Sequence, residues 1–276
     1  MLRSILARLA PPRLEGYRKQ IRPFVRARKV LEIGGPSSLF GIDGLLPVYR
    51  DAASVDNVNF SSRTMWEGTI EEGCTFLFDP KRPRGRQYIS EASALVGIAS
   101  GRYDVVISSH TLEHAANALA TLREWMRVLT ERGTLVLVLP HKDGTFDHRR
   151  PVTTLTHLVE DERSGVDEHD QTHLAEILAL HDLDRDRGAG SREAFEARSL
   201  RNYEHRGLHH HVFDTALVIR MLDAVGLQVR HVEPFPIHHI AVVATKLPVG
   251  TIADNSAVMA DDAPYRYRSP FPSDRA

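Results

Sequence analysis

The sequence predicts an α/β fold: an open, mostly parallel sheet of seven strands with helices on both faces. Three observations carry this. From residue 29 onward, short apolar runs alternate with amphipathic or turn-rich stretches. The run KVLEI (29–33) stops abruptly at Gly34-Gly35-Pro36, as a buried strand does when it ends in a tight turn. TLVLVLP (134–140) is apolar without interruption, which suits a central parallel strand covered on both sides.

Taken in order, residues 1–28 are basic, with Leu2, Ile5, Leu6 and Leu9 at helical spacing before Pro11-Pro12. They read as an N-terminal helix laid over the domain, with a membrane-surface or partner contact as the alternative. The main domain spans 29–247. Its first strand is 30–33 and its second is 53–56, ending in Asp56. The crossover between them holds two glycines and a proline, so it is short or irregular. Residues 60–86 are crowded with turn formers and read as a loop or insertion. Strand three is 87–90, followed by Glu91-Ala92 and a small-residue helix. Strand four is 103–109, strand five 134–140, with an amphipathic helix over 119–129 between them. Residues 141–207 break the alternation and read as a helical lid, with helices at 153–163 and 170–181 and an exposed charged stretch at 184–206. A helix over 213–225 carries Asp214 as a candidate N-cap and Gly226 as its stop. Strands 227–232 and 239–245 close the sheet as a hairpin. Residues 248–276 are polar and Pro-rich and read as a tail.

The totals narrow the partners. Lys plus Arg is 35 and Asp plus Glu is 36, for a net charge of -1. That argues against nucleic acid or an anionic membrane as main partner. Cys74 is the single cysteine, which excludes an internal disulfide and fits a reducing, cytoplasmic location. No apolar run approaches the ~18 residues of a membrane span, and no signal peptide is read. A homodimer is compatible with the composition.

In such a sheet, ligands bind outside the C-terminal strand ends. Those ends carry Gly34-Gly35-Pro36, Asp56, Glu91, Ser109-His110 and His141. An acid after strand two can accept both hydroxyls of a ribose, a second acid can hold an adenine amino group, and the glycine turn can face a zwitterion. Glu32, a carboxylate inside an apolar strand, needs a partner in the ligand or the backbone.

The segments VLEIGGPSS (30–38), SVDN (54–57), SEAS (90–93), YDVVISSHTLEH (103–114), LREWMRVLTERG (122–133) and TLVLVLP (134–140) together resemble the class I S-adenosylmethionine-dependent methyltransferases. The resemblance covers residues 29–247 and implies a Rossmann-like sheet. It implies S-adenosylmethionine as cofactor and S-adenosylhomocysteine as product. It places Glu32 and Gly34 at the methionine end, with Gly35 and Pro36 in the same turn. It places Asp56, with Asn57 beside it, at the ribose, Glu91-Ala92 at the adenine, and Ser109-His110 beside the bound cofactor. The family's third glycine falls near Ser37-Ser38, and Pro36 intrudes in the turn.

Transfer to an oxygen acceptor needs a base, and histidine suits this near neutral pH. Candidates are His141 after strand five, His209 and His211 on one face of an extended HHH, and His114 after strand four. The alternatives are capping or packing for His114, and a loop of surface histidines for 209–211. A divalent metal on these histidines with Asp143, Asp147 or Glu113 is kept but not favoured, since no spacing is diagnostic. The charged, aromatic-poor lid points to a polar small-molecule or oligosaccharide acceptor. The chain resembles bacterial methyltransferases of saccharide biosynthesis, which implies O-methylation of a sugar hydroxyl. The rivals are an N- or C-methyltransferase of another polar metabolite, a cofactor-binding relative without chemistry, and a nicotinamide-dependent enzyme.

Overall fold

The computed structural model describes residues 15–186 and 188–275. The helix expected over Leu2, Ile5, Leu6 and Leu9 lies outside the described residues.

The strands are β1 Lys29–Ile33, β2 Ser54–Asn59, β3 Arg63–Thr64, β4 Gly68–Thr69, β5 Gly73–Phe76, β6 Gly85–Ile89, β7 Tyr103–Ser109, β8 Leu129–Pro140, β9 Leu227–Phe235 and β10 His239–Lys246. The main sheet has the order β5-β6-β2-β1-β7-β8-β10-β9, so it holds eight strands rather than seven. The eighth is β5, a four-residue edge strand antiparallel to β6 inside the stretch expected to be loop. It is too short, and too flanked by glycine and proline, to stand out by pattern. β3 and β4 form a separate small hairpin in the same insertion.

Alternation along each strand sorts the core into two layers. Leu31 and Ile33 of β1, Val106 of β7, Leu135, Leu137 and Leu139 of β8, and Ile240 and Val242 of β10 face one side. They pack against α3 (Ala118–Val128) and α8 (Thr215–Ala224), with Trp125 fully buried. Val30, Val105, Ile107, Val136, Val138, Ala241 and Val243 face the other. That side is covered by a π-helical turn Tyr17–Ile21, by α1 (Arg22–Val25) and by α2 (Val48–Asp51). The basic N-terminal segment, where described, therefore caps the sheet. Asp51 fixes it, accepting from Tyr17 Oη at 2.9 Å and Arg22 Nε at 2.9 Å.

Several elements depart from expectation. The small-residue helix after Glu91 is instead a series of turns. Arg127 donates to the Ile98 and Leu95 carbonyls, and Glu124 accepts from the Leu95 N–H, which satisfies backbone groups that a helix would have paired internally. In the lid, α4 (Leu155–Ser164) and α5 (Leu174–Leu180) form near the expected positions. The charged stretch after them is folded as well: α6 (Arg192–Ser199) and α7 (Asn202–His205) bury Phe195 against Ile177, Ala189 and Leu208. The expected tail packs on the domain through α9 (Ser256–Met259) and α10 (Pro264–Arg268), with Ala263 and Tyr265 in the main core. Asp214 caps α8, its carboxylate accepting from Leu217 N at 2.7 Å.

Candidate active site

A cavity of about 500 Å³ opens over the C-terminal ends of β1, β2, β6 and β7, where strand order reverses around β1. Its floor is the turn after β1. Gly34 has φ +81°, and a Cβ there would stand 2.2 Å from Thr111 Oγ1, so the position requires glycine. Asn57 clamps the turn: its Oδ1 accepts from Gly35 N at 3.0 Å and its Nδ2 donates to Gly35 O at 2.9 Å. Gly34 and Pro36 line the cavity, joined by Ser37 and Ser38 in place of a third glycine.

Glu32 lies beneath this turn, fully buried. One carboxylate oxygen accepts from Ser37 N at 3.0 Å and the other from the Tyr49 hydroxyl. Its partners are thus the backbone and a tyrosine, and it shapes the turn from below. Burial pushes its carboxyl up to about 8, against the hydrogen bonds from Tyr49 and Ser37.

Asp56 is a correction. β2 continues to Asn59, so Asp56 sits mid-strand opposite Leu31 rather than at the tip. Its carboxylate accepts from Tyr103 Oη at 2.7 Å and Arg86 N at 2.8 Å, away from the cavity lining. Tyr103 is the first residue of β7, at the end of the sheet opposite the cleft. Asn59 holds the tip and lines the cavity instead. Asn57 is likewise a clamp on the turn and does not line the cavity. On the neighbouring strand, Glu91 and Ala92 do line it. Glu91 is paired with Arg206 from the lid, which also pairs with Glu168 at 2.8 Å. Burial raises the Glu91 carboxyl, and the guanidinium opposes that.

Ser109 and His110 follow β7 at the cavity wall. His110 has φ +54°; its Nε2 lies 2.9 Å from His239 Nδ1 and its Nδ1 3.4 Å from Glu113 Oε1. His238, whose ring lies 5.1 Å from that of His110, lines the cavity as well, as do Trp66 and Glu67. Glu113 is buried, and neither carboxylate oxygen has a hydrogen-bond partner among the described residues.

The candidate bases separate sharply. His141 is fully buried outside the cavity, stacked on Phe271 with centroids 4.0 Å apart, its Nε2 3.2 Å from Asp274 Oδ1. It ties down the C-terminal segment and is removed from the catalytic candidates. His211 does not share a face with His209, because the chain bends through 207–212 instead of running extended. It is buried against Ala116 O at 3.1 Å and lies outside the cavity. His114 and His209 both line the cavity, with ring centroids 4.9 Å apart. Burial pushes His114 down to about 4, and its Nδ1 lies 3.0 Å from Leu208 O. His209 Nδ1 lies 2.5 Å from Asp147 Oδ2. Burial opposes its charging, but the Asp147 carboxylate outweighs this and raises its pKa. Asp147 is held at about 2: burial works against its charge, and His209 and Arg150 overcome it. Glu113, His114 and His209 each offer a ligand atom, all within 4.8 Å of one another.

The sequence reading missed Asn59, Arg206, Glu168, Trp66 and His238. Asn59 was within reach, since SVDNVN can extend as one strand past Asp56. Trp66, Glu168 and Arg206 come from insertions and His238 from the β9–β10 turn, and no local pattern encodes where these segments fold.

Residues 79–137 match the family model described as a methyltransferase domain. This stretch is similar to part of a methyltransferase domain. It holds β6, β7, α3 and most of β8, so it contributes the Glu91 and Ser109-His110 walls of the cleft. The mostly parallel sheet with helices on both faces is Rossmann-like. No curated protein matches the chain. Among solved structures, a Bacillus halodurans protein described as a methyltransferase is 11% identical, with TM-score 0.49 and coverage of 85% of this chain and 100% of that one. An S-adenosylmethionine-dependent methyltransferase of Mesorhizobium loti is 14% identical, with TM-score 0.47 and coverage of 84% and 96%. The 1,6-didemethyltoxoflavin-N1-methyltransferase of Burkholderia thailandensis is 14% identical, with TM-score 0.44 and coverage of 89% and 90%.

The cleft differs from expectation at one strand end, where Asn59 rather than Asp56 stands at the tip of β2. The Gly34 turn presents bare backbone to the cavity, and Glu91-Ala92 line it beyond the end of β6. Among the described residues, no helix is long and apolar enough to cross a membrane.

Proposed function

We propose that the protein transfers a methyl group from S-adenosylmethionine to a hydroxyl of a small polar acceptor, a sugar in our reading, with His209 as the base. The observation that carries this is the pair His209–Asp147, with His209 at the cavity wall and Asp147 buried behind it. Bound S-adenosylmethionine would supply an electrophilic methyl on a sulfonium. The Gly34–Ser38 turn, Asn59, Glu91 and Ser109 would hold it. Asp147 orients the imidazole through Nδ1–H and favours its protonated form. That leaves Nε2 to take the acceptor's hydroxyl proton as the carbon–oxygen bond forms. Asp147 is itself fixed by Arg150 Nη1 at 3.0 Å, so the dyad is positioned before substrate arrives. The polar cavity wall, with Glu67, Glu168, Arg206 and His238, suits a hydroxylated acceptor more than a flat apolar ring. The exposed Cys74 fits a reducing, cytoplasmic setting.

Isothermal titration with S-adenosylhomocysteine, then methyl-release assays over a panel of saccharides and polar amines, tests the proposal. Turnover on a saccharide is expected, and His209→Gln is expected to lower kcat by about 10²–10⁴-fold with cofactor affinity kept. Turnover confined to amines would replace the acceptor, and turnover unaffected by His209→Gln would remove the base. Cofactor binding with no turnover on any class would favour a non-catalytic relative.

A further inference from the structure

Beside the cleft, three side chains of the lid and one of the segment that follows it take no part in methyl transfer. His157 and Asp161 lie one turn apart on α4, His173 precedes α5, and His211 lies on the segment leading to α8. A ligand atom from each lies within 4.8 Å of all the others. His157 Nε2 is 3.0 Å from His173 Nε2 and 3.3 Å from Asp161 Oδ2. Donor atoms around a tetrahedral zinc, each about 2.0–2.1 Å from the ion, stand roughly 3.3 Å apart. Two edges of such a tetrahedron are therefore already close to length.

The remaining member is His211, whose ring is wholly buried. Its Nε2 lies 3.1 Å from Ala116 O and 3.8 Å from Asp161 Oδ2. Its Nδ1 is buried with no hydrogen-bond partner among the described residues, and Asp161 Oδ2, though it faces His157 and His211, has none either. Donation of Nε2–H to the Ala116 carbonyl fixes the tautomer that leaves Nδ1 with a bare lone pair. A ligating histidine is commonly anchored through its second nitrogen in just this way. A buried polar atom left unpaired costs about 1–3 kcal/mol, so two unpaired atoms in one cluster need an explanation. Three imidazoles and one carboxylate around a single centre are all satisfied at once by a divalent cation.

We propose that His157, Asp161, His173 and His211 form a structural zinc site that pins the lid to the sheet domain. Three nitrogens and one carboxylate oxygen suit zinc, whereas magnesium and calcium take oxygen sets. Four protein ligands close the shell, which marks the site as structural. It joins α4, the start of α5, the 207–213 segment and, through Ala116, the entry to α3. Two other clusters compete for a cation, Glu113, His114 and His209 in the cleft and His110, His238 and His239 beside it, but each offers three ligands, and Asp147 already holds His209 Nδ1.

The full chain, stripped of metal and dialysed, is titrated with zinc alone and with cobalt(II) as a visible probe. One equivalent is expected to bind, with the intense ligand-field bands of four-coordinate cobalt and a rise in Tm. His157→Ala and His173→Ala, both at partly exposed positions and checked for native circular dichroism, are each expected to weaken binding at least tenfold. Glu113→Gln is expected to retain it. Absence of stoichiometric binding to the wild-type chain, unchanged binding in both histidine variants, or loss on Glu113→Gln alone would each overturn the site.

Discussion

Glu32 is a carboxylate sealed beneath the glycine turn that floors the cavity, and its protonation is coupled to folding. Its folded-state pKa is about 8, against 4.5 ordinarily, with burial the main cause. Between those values the native state keeps a proton that the unfolded chain has released. Stability therefore falls as pH rises from 4.5, and this contribution is lost once pH passes 8. Glu32→Gln keeps an acceptor for Ser37 N and cannot ionise. Urea unfolding at about pH 5 and about pH 8.5 should show a smaller difference in the variant than in the wild-type chain. Asp56 gives a second test at this scale. Asp56→Ala removes the acceptor for Tyr103 and Arg86, so it should cost about 1–3 kcal/mol of stability. S-adenosylhomocysteine affinity should stay within about twofold, while Asn59→Ala should weaken it by at least about tenfold, a loss of about 1.4 kcal/mol. Titration calorimetry with denaturant melts separates the two, and the reverse pattern would return the ribose to Asp56.

Among the elements, the C-terminal segment is the one whose role exceeds its appearance. Asp274 accepts from Thr215 N and Oγ1, from Ser269 Oγ and faces His141, so one carboxylate joins β8, α8 and the chain end. Asp274→Ala strands four buried polar groups at once. It should destabilise by about 2–3 kcal/mol and lower Tm by roughly 4–10 °C, measured by calorimetry. A melt unchanged by this substitution would mean the segment is a loosely attached tail after all.

For the molecule as a whole, the legible parts were those with strong period. β1, β7, β8 and β10 were marked by apolar runs buried on two faces, and α3 and α8 by stripes with clear stops. The glycine turn and the Glu91 and Ser109-His110 walls followed from strand ends. What stayed hidden depended on partners distant in sequence. Asp56 and Asn59 are equally plausible strand ends until pairing with β1 and β6 extends the strand. His141 looks like an active-site residue until Phe271 and Asp274, 130 and 133 positions later, close over it. His209 and His211 diverge because the lid bends the chain between them.

The position of β10 between β8 and β9 has a kinetic corollary for the chain as it is made. β8 ends at Pro140 and β10 begins at His239, so the strand that covers the open flank of β8 emerges 99 residues later. At ribosomal speeds of about 5–20 residues per second, that is a delay of roughly 5–20 s. During it, the edge of TLVLVLP has unpaired amide and carbonyl groups beside a fully apolar surface. Nascent copies on one message would be at their most adhesive in this interval, and holdase chaperones would find their best purchase there.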